Sequence, residues 1–448
     1  MNEVKKKRGG IPAEKLAKYS KGEGLNAKNI KNLIHRKRII RKEQKVAFAE
    51  KIAARAEVLL TEEAGFLVPE KGEATNRVKQ SDIKNIVDIT SAAKCFELDL
   101  NFGPYRLDYS RNGRYLLLGG RRGHVAAIDW ITKRLMCEIN VMEAVYDIQW
   151  LHIETMYAVA QKEWVFMYDN KGVELHCVKA LNRVLQMTYL PYHFLLATSN
   201  EQGWLSWLDI SIGKLVNSFS TYKGRLSTLT HNPYNAVLCV GHPTGVVTMW
   251  SPNVKRPLAQ IMCHKTPVQG IAVDHTGKYM ATSSVDRNLR IWDVREMSGP
   301  VQTYKFRDSP IDLSFSQRGL LAAAFHGNVE IFKDCHLKTV ADSYMKHKLT
   351  RTIHNLEFCP YEDVLGVATG CGFTSMLVPG AGEPNYDAYE SNPMQTKRQR
   401  QESEVKSLLE KIQPEMITLD PNIIVEVDLP TLKDKVEAKK KALVSVIH

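Results

Sequence analysis

The sequence lacks the cysteine spacing of a zinc site or of a disulfide framework. Its eight cysteines lie at positions 95, 137, 177, 239, 263, 335, 359 and 371 of 448 residues, and no two of them form a Cys-x-x-Cys pair. Scattered single cysteines are typical of reduced thiols in the core of an intracellular protein. We therefore expect neither a bound metal nor any other cofactor.

Long hydrophobic runs are also absent, since no apolar stretch approaches the roughly 18 residues of a membrane span. The first ten residues, MNEVKKKRGG, are basic and no apolar segment follows them, which argues against a secretory signal. Hydrophobic residues make up 44% of the chain and charged residues 25%, as in ordinary globular proteins. We expect a protein that does not associate with membranes.

Beyond residue 55 the chain has no net charge. Residues 1–55 contain 17 Lys and Arg residues and 5 Asp and Glu residues, a net charge of +12, whereas the rest of the chain contains 44 of each sign. Aromatic residues are scarce in this region, since Tyr19 is the single one among the first 47 residues. This distribution is typical of a neutral body with a tail that binds a polyanion through charge and not through base stacking.

A repeat of about 40 residues fills the middle of the chain. The segment NLRIWDVRE at 288–296 is a strand that ends in the Trp-Asp pair of a WD repeat, and six other apolar strands end at the equivalent place. The seven anchor residues are Ile128, Tyr168, Leu208, Trp250, Trp292, Phe332 and Leu377, which are 40, 40, 42, 42, 40 and 45 residues apart. This spacing predicts an all-β fold, a seven-bladed WD-repeat β-propeller over residues 93–379.

The fifth repeat carries the polar residues that stabilise WD blades. They are His264, Thr282, Asp286 and Trp292. A buried chain of these side chains satisfies its donors and acceptors internally, so it stabilises the blade only as a complete network. A histidine, an aspartate and a hydroxyl also occur in hydrolase triads, but no nucleophile elbow accompanies them here. We interpret the four residues as structural.

The glycine-rich stretch GCGFTSMLVPGAG at 370–382 has two interpretations. As a phosphate-binding loop it would make the protein a nucleotide-dependent enzyme, but no helix follows it to present an N-terminus to a phosphate. As part of blade seven it is a turn and a third strand, which stops at Pro379 and leaves an unpaired edge. We predict that residues 93–101, AKCFELDLN, supply the fourth strand and close the ring.

A basic, largely helical N-terminal arm (residues 1–92) precedes the propeller. Residues 27–63 contain no proline or glycine and predict a long helix, with cations around its first half and Phe48, Ile52, Ala56 and Leu60 on one face of the second. A solvated tail and a nuclear localisation signal are the alternatives to an RNA-binding arm. Contacts with nucleic-acid phosphates, which carry no sequence information by themselves, are assigned to Lys5, Lys6, Lys7, Arg8, Arg36, Lys37, Arg38, Arg41 and Lys42.

A C-terminal extension (residues 380–448) follows the propeller. Its first part, GAGEPNYDAYESNPMQ, has no helical or strand periodicity and predicts an extended surface segment or a plain linker. Residues 396–413 predict a short helix with one apolar face, which docks on a partner protein or, equally, on the propeller of the same chain. The face consists of Val405, Leu408, Leu409 and Ile412.

Three stretches of the sequence resemble a single family. They are FGPYRLDYSRNGRYLLLGGRRGHVAAIDW (102–130), FCPYEDVLGVATGCGFTSMLVPGAGEPNYDAYESNP (358–393) and SLLEKIQPEMITLDP (407–421). They resemble the nucleolar WD-repeat family of U-three small nucleolar RNA-associated protein seven, which includes an animal WD-repeat homologue with the same conserved C-terminal domain. The resemblance covers residues 45–425 or so, and it implies that the family's C-terminal domain begins within residues 370–401.

What the resemblance implies is a non-enzymatic scaffold of the small-subunit processome, the nucleolar particle that folds and cleaves small-subunit pre-ribosomal RNA. The partners it implies are pre-ribosomal RNA, the box C/D small nucleolar RNA particle and other processome proteins, among them WD-repeat proteins. No small-molecule substrate is expected. The alternative is a nuclear WD-repeat adaptor that binds only proteins, with the arm acting as a nuclear signal.

Overall fold

The architecture comes from a computed structural model of the chain. It describes residues 13–22, 24, 30–61, 63–69, 73–337, 342–386, 392, 395–420 and 436. Within these ranges no helix has both the length and the hydrophobicity needed to cross a membrane.

The described residues form a seven-bladed β-propeller, as the 40-residue repeat predicts. Each blade is a four-stranded antiparallel sheet. We call its strands A to D from the inside outward. The A strand of each blade lies beside the A strands of both neighbouring blades, so that seven A strands surround the central axis.

The strands are numbered along the chain. β1 (Glu97–Asp99) comes first; blade one has β2 (Tyr105–Tyr109), β3 (Tyr115–Gly120), β4 (His124–Asp129) and β5 (Arg134–Asn140), and blade two has β6 (Asp147–Trp150), β7 (Met156–Ala160), β8 (Val165–Asp169) and β9 (Glu174–Val178). Blade three has β10 (Val184–Leu190), β11 (Leu195–Asn200), β12 (Trp204–Asp209) and β13 (Lys214–Ser220), and blade four has β14 (Thr228–His231), β15 (Leu238–Gly241), β16 (Val246–Trp250) and β17 (Ala259–Met262). Blade five has β18 (Val268–Val273), β19 (Tyr279–Ser284), β20 (Asn288–Asp293) and β21 (Gln302–Lys305), and blade six has β22 (Asp312–Phe315), β23 (Leu321–Ala324), β24 (Asn328–Phe332) and β25 (Met345–Lys348). Blade seven has β26 (Ile353–Phe358), β27 (Val364–Thr369) and β28 (Gly372–Leu377).

The fourth strand of blade seven is β1, which comes from before blade one. β1 pairs antiparallel with β28, and Leu98 lies opposite Phe373. The glycines of the 370–382 stretch serve this closure: residues 370 and 371 form the turn between β27 and β28, and Gly372 has a φ of +148°. A Cβ at Gly372 would lie 1.9 Å from the carbonyl oxygen of Leu98. Only glycine therefore allows β1 to approach so closely.

Side-chain oxygens on the A strands join neighbouring blades around the axis. Each accepts a hydrogen bond from a backbone N–H of the next A strand, a group that no sheet partner satisfies. The N–H donors are Trp150 to Asp108 (2.5 Å), Met187 to Asp147 (2.6 Å), Leu229 to Gln186 (2.5 Å), Leu356 to Asp312 (2.8 Å) and Leu107 to Asn355 (3.1 Å). The junctions from blade one to blade four, and from blade six through blade seven to blade one, are therefore held by polar side chains as well as by apolar packing.

One of these acceptors shares a proton with a neighbouring carboxyl group. The side chains of Asp108 and Glu357 are hydrogen-bonded to each other, and the backbone N–H of Tyr109 also donates to Glu357. Burial raises the pKa of Asp108 to about 8 and raises that of Glu357 well above its ordinary value. The pair therefore holds a proton at neutral pH, which avoids two adjacent buried charges.

Five α-helices in the described residues lie outside the blades. They are α1 (Ala13–Lys18), α2 (Leu33–Arg55), α3 (Gln80–Ile86), α4 (Ile89–Ala92) and α5 (Lys397–Leu409). α2 is shorter than the helix predicted over residues 27–63. It begins after Asn32, whose side-chain oxygen caps the N–H groups of Ile34 and His35, and beyond Arg55 the chain continues as a single 3₁₀ turn.

Candidate interaction surfaces

The propeller has two loop faces. Because the strands of each blade are antiparallel, the A–B and C–D loops meet at one end of the blades, which we call the AB face. The B–C loops and the connections from D to the next A strand meet at the other end, which we call the BC face. The terminal segments dock on the AB face.

Helix α5 lies on the AB face of blade two. The guanidinium of Arg400 contacts the carboxylate of Glu154 at 2.6 Å, and Glu404 lies 3.3 Å from the imidazole of His152. Both contacts come from the A–B loop of blade two. α5 spans residues 397–409, within the predicted range of 396–413, and the side chain of Thr396 caps its N-terminus.

The chain that follows α5 continues across blades three and four. The N–H of Ile412 donates to the carbonyl of Tyr192 at 2.9 Å, and the ammonium group of Lys411 is bonded to the carboxylate of Asp209. Burial opposes ionisation of Asp209, but the hydrogen bonds from Lys411 and Ser211 and the charge of Lys411 together outweigh it, so the pKa of Asp209 lies below its ordinary value. This ion pair fixes the segment to blade three.

Ile417 anchors the segment to blade four. Its side chain is 1% exposed and packs in the core of blades three and four. The hydroxyl of Ser251 donates to its carbonyl oxygen at 2.8 Å, and the side-chain amide of Asn235 donates to the carbonyl of Leu419 at 2.9 Å. Of the two docking modes that the sequence left open, docking on the propeller of the same chain is therefore present.

The apolar residues predicted to form one face of the helix remain exposed, although Ile412 follows the end of α5. Helix residues that approach the blades are polar, whereas the four residues predicted to dock are exposed, and Leu409 is 82% exposed. The exposed residues are Val405, Leu408, Leu409 and Ile412. Docking on the propeller thus leaves the apolar face of α5 available.

Segments from both ends of the chain meet on the AB face of blades six and seven. The hydroxyl of Tyr344 donates to the carbonyl of Pro379 at 2.7 Å and accepts the N–H of Leu67 at 2.9 Å. The side-chain amide of Gln80, in α3, donates to the carbonyl of Leu377 at 2.8 Å, and its oxygen accepts the N–H of the same residue. Residues 65–92, which the sequence assigned to the N-terminal arm, therefore pack partly on the propeller.

The cations predicted to bind RNA divide into two groups. Lys5, Lys6, Lys7 and Arg8 lie outside the described residues. Arg36, Lys37, Arg38, Arg41 and Lys42 lie on the first half of α2, and all five are exposed. In the described part of the chain no ion pair engages these five side chains.

Acidic groups of the arm lie toward the second half of α2, where α1 and its following turn approach. Lys18 pairs with Glu57 at 2.8 Å, and Lys21 lies 3.3 Å from Glu43 while its backbone N–H donates to Glu50. Glu43, Glu50 and Glu57 are thus held by Lys18 and Lys21, and the first half of α2 presents positive charge to solvent.

The four polar residues of blade five come together as a buried chain. His264 Nε2 lies 2.9 Å from Thr282 Oγ1, Trp292 Nε1 donates to the same oxygen at 3.1 Å, and Asp286 lies 3.5 Å from His264 Nδ1. Burial lowers the pKa of His264, so the imidazole is neutral at neutral pH. The chain joins the connection before blade five to the second strand, the B–C loop and the third strand of that blade.

Blade four repeats part of this arrangement, which sequence reasoning missed. His242 lies 2.6 Å from Thr248, and the indole N–H of Trp250 donates to the same hydroxyl at 2.7 Å. The Trp250 anchor was recognised, but the threonine sits in strand C, two residues before it, and not in strand B as in blade five. Elsewhere, the described residues contain no cluster of three or more His, Cys, Asp or Glu side chains that could hold a metal ion.

Two family models match the chain. The WD domain, G-beta repeat, matches residues 255–293, which run from the end of blade four to the third strand of blade five. The BING4CT (NUC141) domain matches residues 343–420. This match begins before the 370–401 stretch in which the resemblance placed the start of that domain.

Curated relatives match most of the chain. It is 54% identical to mouse WD repeat-containing protein 46 over 86% of this chain and 62% of that protein, and 50% identical to the human protein of that name over 94% and 70%. It is 41% identical to U3 small nucleolar RNA-associated protein 7 of Saccharomyces cerevisiae over 87% and 74%. The chain belongs to the family of WD repeat-containing protein 46 and U3 small nucleolar RNA-associated protein 7. It spans less than two thirds of the length of the mouse relative.

The family's BING4CT domain is structurally part of the propeller. Its matched residues include β25, all three C-terminal strands of blade seven, α5 and the segment that ends near Leu419. The domain begins at residue 343 because it completes blades six and seven before it crosses the AB face.

Proposed function

We propose that the protein is a non-enzymatic scaffold of the small-subunit processome in the nucleolus, required for processing and folding of small-subunit pre-ribosomal RNA. The observation that carries the proposal is the 41% identity, over 87% of the chain, with a yeast protein whose name associates it with U3 small nucleolar RNA. Its partners are pre-ribosomal RNA, the box C/D small nucleolar RNA particle and other processome proteins, including WD-repeat proteins. The rigid ring and its two differently used faces suit such a role.

The N-terminal arm supplies phosphate contacts in this proposal. Five exposed cations on the first half of α2 face solvent without acidic partners in the described residues. Lys and Arg contacts to phosphates release counterions, so the affinity falls steeply with salt. The contacts hold RNA and do not select its sequence.

Neutralising α2 is expected to reduce RNA crosslinking in cells about tenfold. The variant carries Arg36→Gln, Lys37→Gln, Arg38→Gln, Arg41→Gln and Lys42→Gln, since glutamine preserves helix propensity and removes charge. In vitro, removing each cation that binds a phosphate should reduce the slope of log affinity against log salt by about 0.7 for single-stranded RNA. The measurement is UV crosslinking with sequencing of bound RNA, beside a chain lacking residues 1–55.

The control for this experiment retains charge, as Lys37→Arg with Lys42→Arg, and should crosslink like the unchanged protein. If the neutralised variant crosslinks to pre-ribosomal RNA as strongly as the unchanged protein does, the arm does not supply the phosphate contacts. Absence of ribosomal reads from the unchanged protein, with retained association with the particle, would favour the runner-up: a nuclear adaptor that binds only proteins.

The apolar face of α5 is proposed to bind a processome protein. Val405, Leu408 and Leu409 on α5, with Ile412 just beyond it, are exposed apolar side chains on a segment already fixed by polar contacts, and they present a preformed surface to an apolar groove. Because the helix is docked before the partner arrives, little conformational entropy is lost on binding.

Leu408→Glu with Leu409→Glu is expected to lower co-purification of processome proteins at least fivefold without lowering the thermal midpoint. Both side chains are exposed, so their replacement has little effect on folding. Lys406→Gln, which makes the same change in charge per residue on another side of α5, is the control. Equal recovery of proteins with both variants would show that this face has no partner.

A further inference from the structure

The BC face is more basic than the rest of the propeller. Its loops and strand connections carry 11 Lys and Arg residues and 5 Asp and Glu residues, although the chain beyond residue 55 is neutral as a whole. Around blades two to four the ion pairs on this face are long: Arg183 lies 3.9 Å from Glu163 and Arg225 lies 4.0 Å from Glu201. Such long pairs only weakly neutralise the positive charge of the two guanidinium groups, which can therefore still attract an anionic ligand.

Three aromatic side chains are exposed on the same face, around blades two and three. Trp164 is in the B–C loop of blade two, Trp204 begins strand β12, and Tyr222 follows the end of β13. The register places Trp204 opposite Ser220, two residues before Tyr222. Exposed aromatic rings on a soluble protein leave apolar surface in water unless a ligand covers them.

Tyr222 is the most exposed of the three, at 93%. Its backbone has a φ of +55°, in the left-handed region that bulky side chains rarely adopt. The Ser220 hydroxyl oxygen accepts the N–H of Tyr222 at 3.2 Å and helps to hold this turn. A strained backbone that presents an aromatic ring to solvent costs stability and contributes nothing to the core.

A cavity of about 220 Å³ lies among these groups. It is lined by Tyr146, Lys162, Glu163, Arg183, Leu185 and Glu201. Lys162 is exposed at its margin, and the ammonium of Lys179 lies 5.3 Å from the centre of the Trp164 ring. The loops of blades two and three thus carry both cations and exposed rings on one face, beside a recess whose lining also includes two glutamates.

We propose that this surface binds single-stranded RNA. The blade-three rim, defined as Lys162, Trp164, Arg183, Trp204, Tyr222 and Arg225, would hold phosphates on its cations and unpaired bases on its rings. Single-stranded RNA combines these two requirements, whereas an acidic peptide requires only the cations and a duplex buries its base faces. The inference takes RNA as the ligand from the proposed function, and it does not depend on the arm.

The rim and the arm have different properties. The arm offers charge with almost no aromatic residues, so it holds any phosphate backbone, single- or double-stranded. The rim adds stacking and therefore selects unpaired nucleotides. A chain with both elements would retain a single-stranded segment at the propeller while the arm follows the backbone nearby.

The experiment measures binding of a fluorescent 12-nucleotide oligouridine and of a 12-base-pair RNA duplex to the full chain. Tyr222→Ala is expected to weaken oligouridine binding about tenfold, which is the loss of one stacked base, and to leave duplex binding unchanged. Tyr222→Phe, which retains the ring, should bind like the unchanged protein. Tyr234→Ala, an exposed tyrosine of the AB face, should also have no effect.

The charge of the rim and that of the arm are tested separately. Arg183→Gln with Arg225→Gln should weaken oligouridine binding and reduce its salt dependence, and the effect should persist when α2 is neutralised. If Tyr222→Ala and the unchanged protein bind oligouridine equally well, the proposed RNA-binding role of the rim is wrong. That result would leave the role of the arm and the proposed function unaffected. Displacement of RNA by oligoglutamate, with no effect of Tyr222→Ala, would show an acidic-protein surface and also overturn the proposed role of the rim.

Discussion

Gly372→Ala should destabilise the protein by about 3 kcal/mol or more, since it forces β1 away from blade seven. The new Cβ would lie 1.9 Å from the carbonyl oxygen of Leu98, a backbone atom that cannot rotate away. Without β1, strand β28 becomes an unpaired edge and the ring loses its closure. The change is measured as a lower urea midpoint and as faster proteolysis near residues 93–101.

Gly319→Ala is the matched control for this experiment. Gly319 also has a positive φ, +76°, but no atom lies within 4 Å of the position of its Cβ. The control therefore carries the backbone cost, about 1 kcal/mol, without the collision. Equal losses in the two variants would show that closure does not depend on the approach of β1, and a folded Gly372→Ala protein with a changed nucleotide-dependent rate would revive the phosphate-loop interpretation.

Asp147→Ala should cost about 1–3 kcal/mol, the typical effect of leaving a buried hydrogen-bond donor unsatisfied. Asp147 in blade two accepts the N–H of Met187 in blade three at 2.6 Å and contacts the guanidinium of Arg106 in blade one at 3.0 Å. One carboxylate thus joins three blades. Its removal leaves a backbone donor and a partly buried cation unsatisfied, which urea denaturation would report as a lower free energy of unfolding.

Two further variants separate the contributions of charge and hydrogen bonding. Asp147→Asn keeps an acceptor for Met187 and loses the charge, so it should be less destabilising than alanine. Asp293→Ala removes a carboxylate from a surface pair with Arg295 and should cost under about 1 kcal/mol. A loss for Asp147→Ala as small as that for Asp293→Ala would mean that apolar packing alone holds blades one to three together.

The propeller could be predicted from sequence because each blade repeats a local pattern. Strand, turn and anchor residues recur every 40–45 residues, and the same blade geometry follows each time. The pairing of 93–101 with blade seven could also be inferred, since a missing fourth strand and an unassigned alternating segment are complementary. The blade-five network was recognisable from residue types in fixed positions.

The course of the C-terminal segment was not predictable from the same signals. Ile417 is buried among residues of blades three and four, and Lys411 pairs with Asp209, contacts between positions about 160 to 200 residues apart. For α5, helical periodicity located the helix, but it included Ile412, which follows the helix, and it did not show that polar residues would make the docking contacts. Amphipathic patterning indicates which face avoids water, and it does not identify what covers that face.

The basic rim escaped sequence reasoning for a related reason. Its residues come from successive loops of blades two and three that reach one face only in the folded ring, and within each loop one or two cations or rings resemble ordinary surface. The neutral total charge of the chain beyond residue 55 concealed the asymmetry between the two faces. Only the alternation of loops between faces, which follows from the antiparallel blades, separates the charges.

The pairing of β1 with β28 also determines the order in which the protein is completed during synthesis. β1 leaves the ribosome before blade one, but its partner strand follows some 270 residues later. At a synthesis rate of about 5–20 residues per second, the intervening chain takes tens of seconds to make, and the ring is incomplete during that time. Residues 372–420 must both receive β1 and cross the AB face, so a chain truncated before them would be left as an open arc of blades and a substrate for chaperones and proteases.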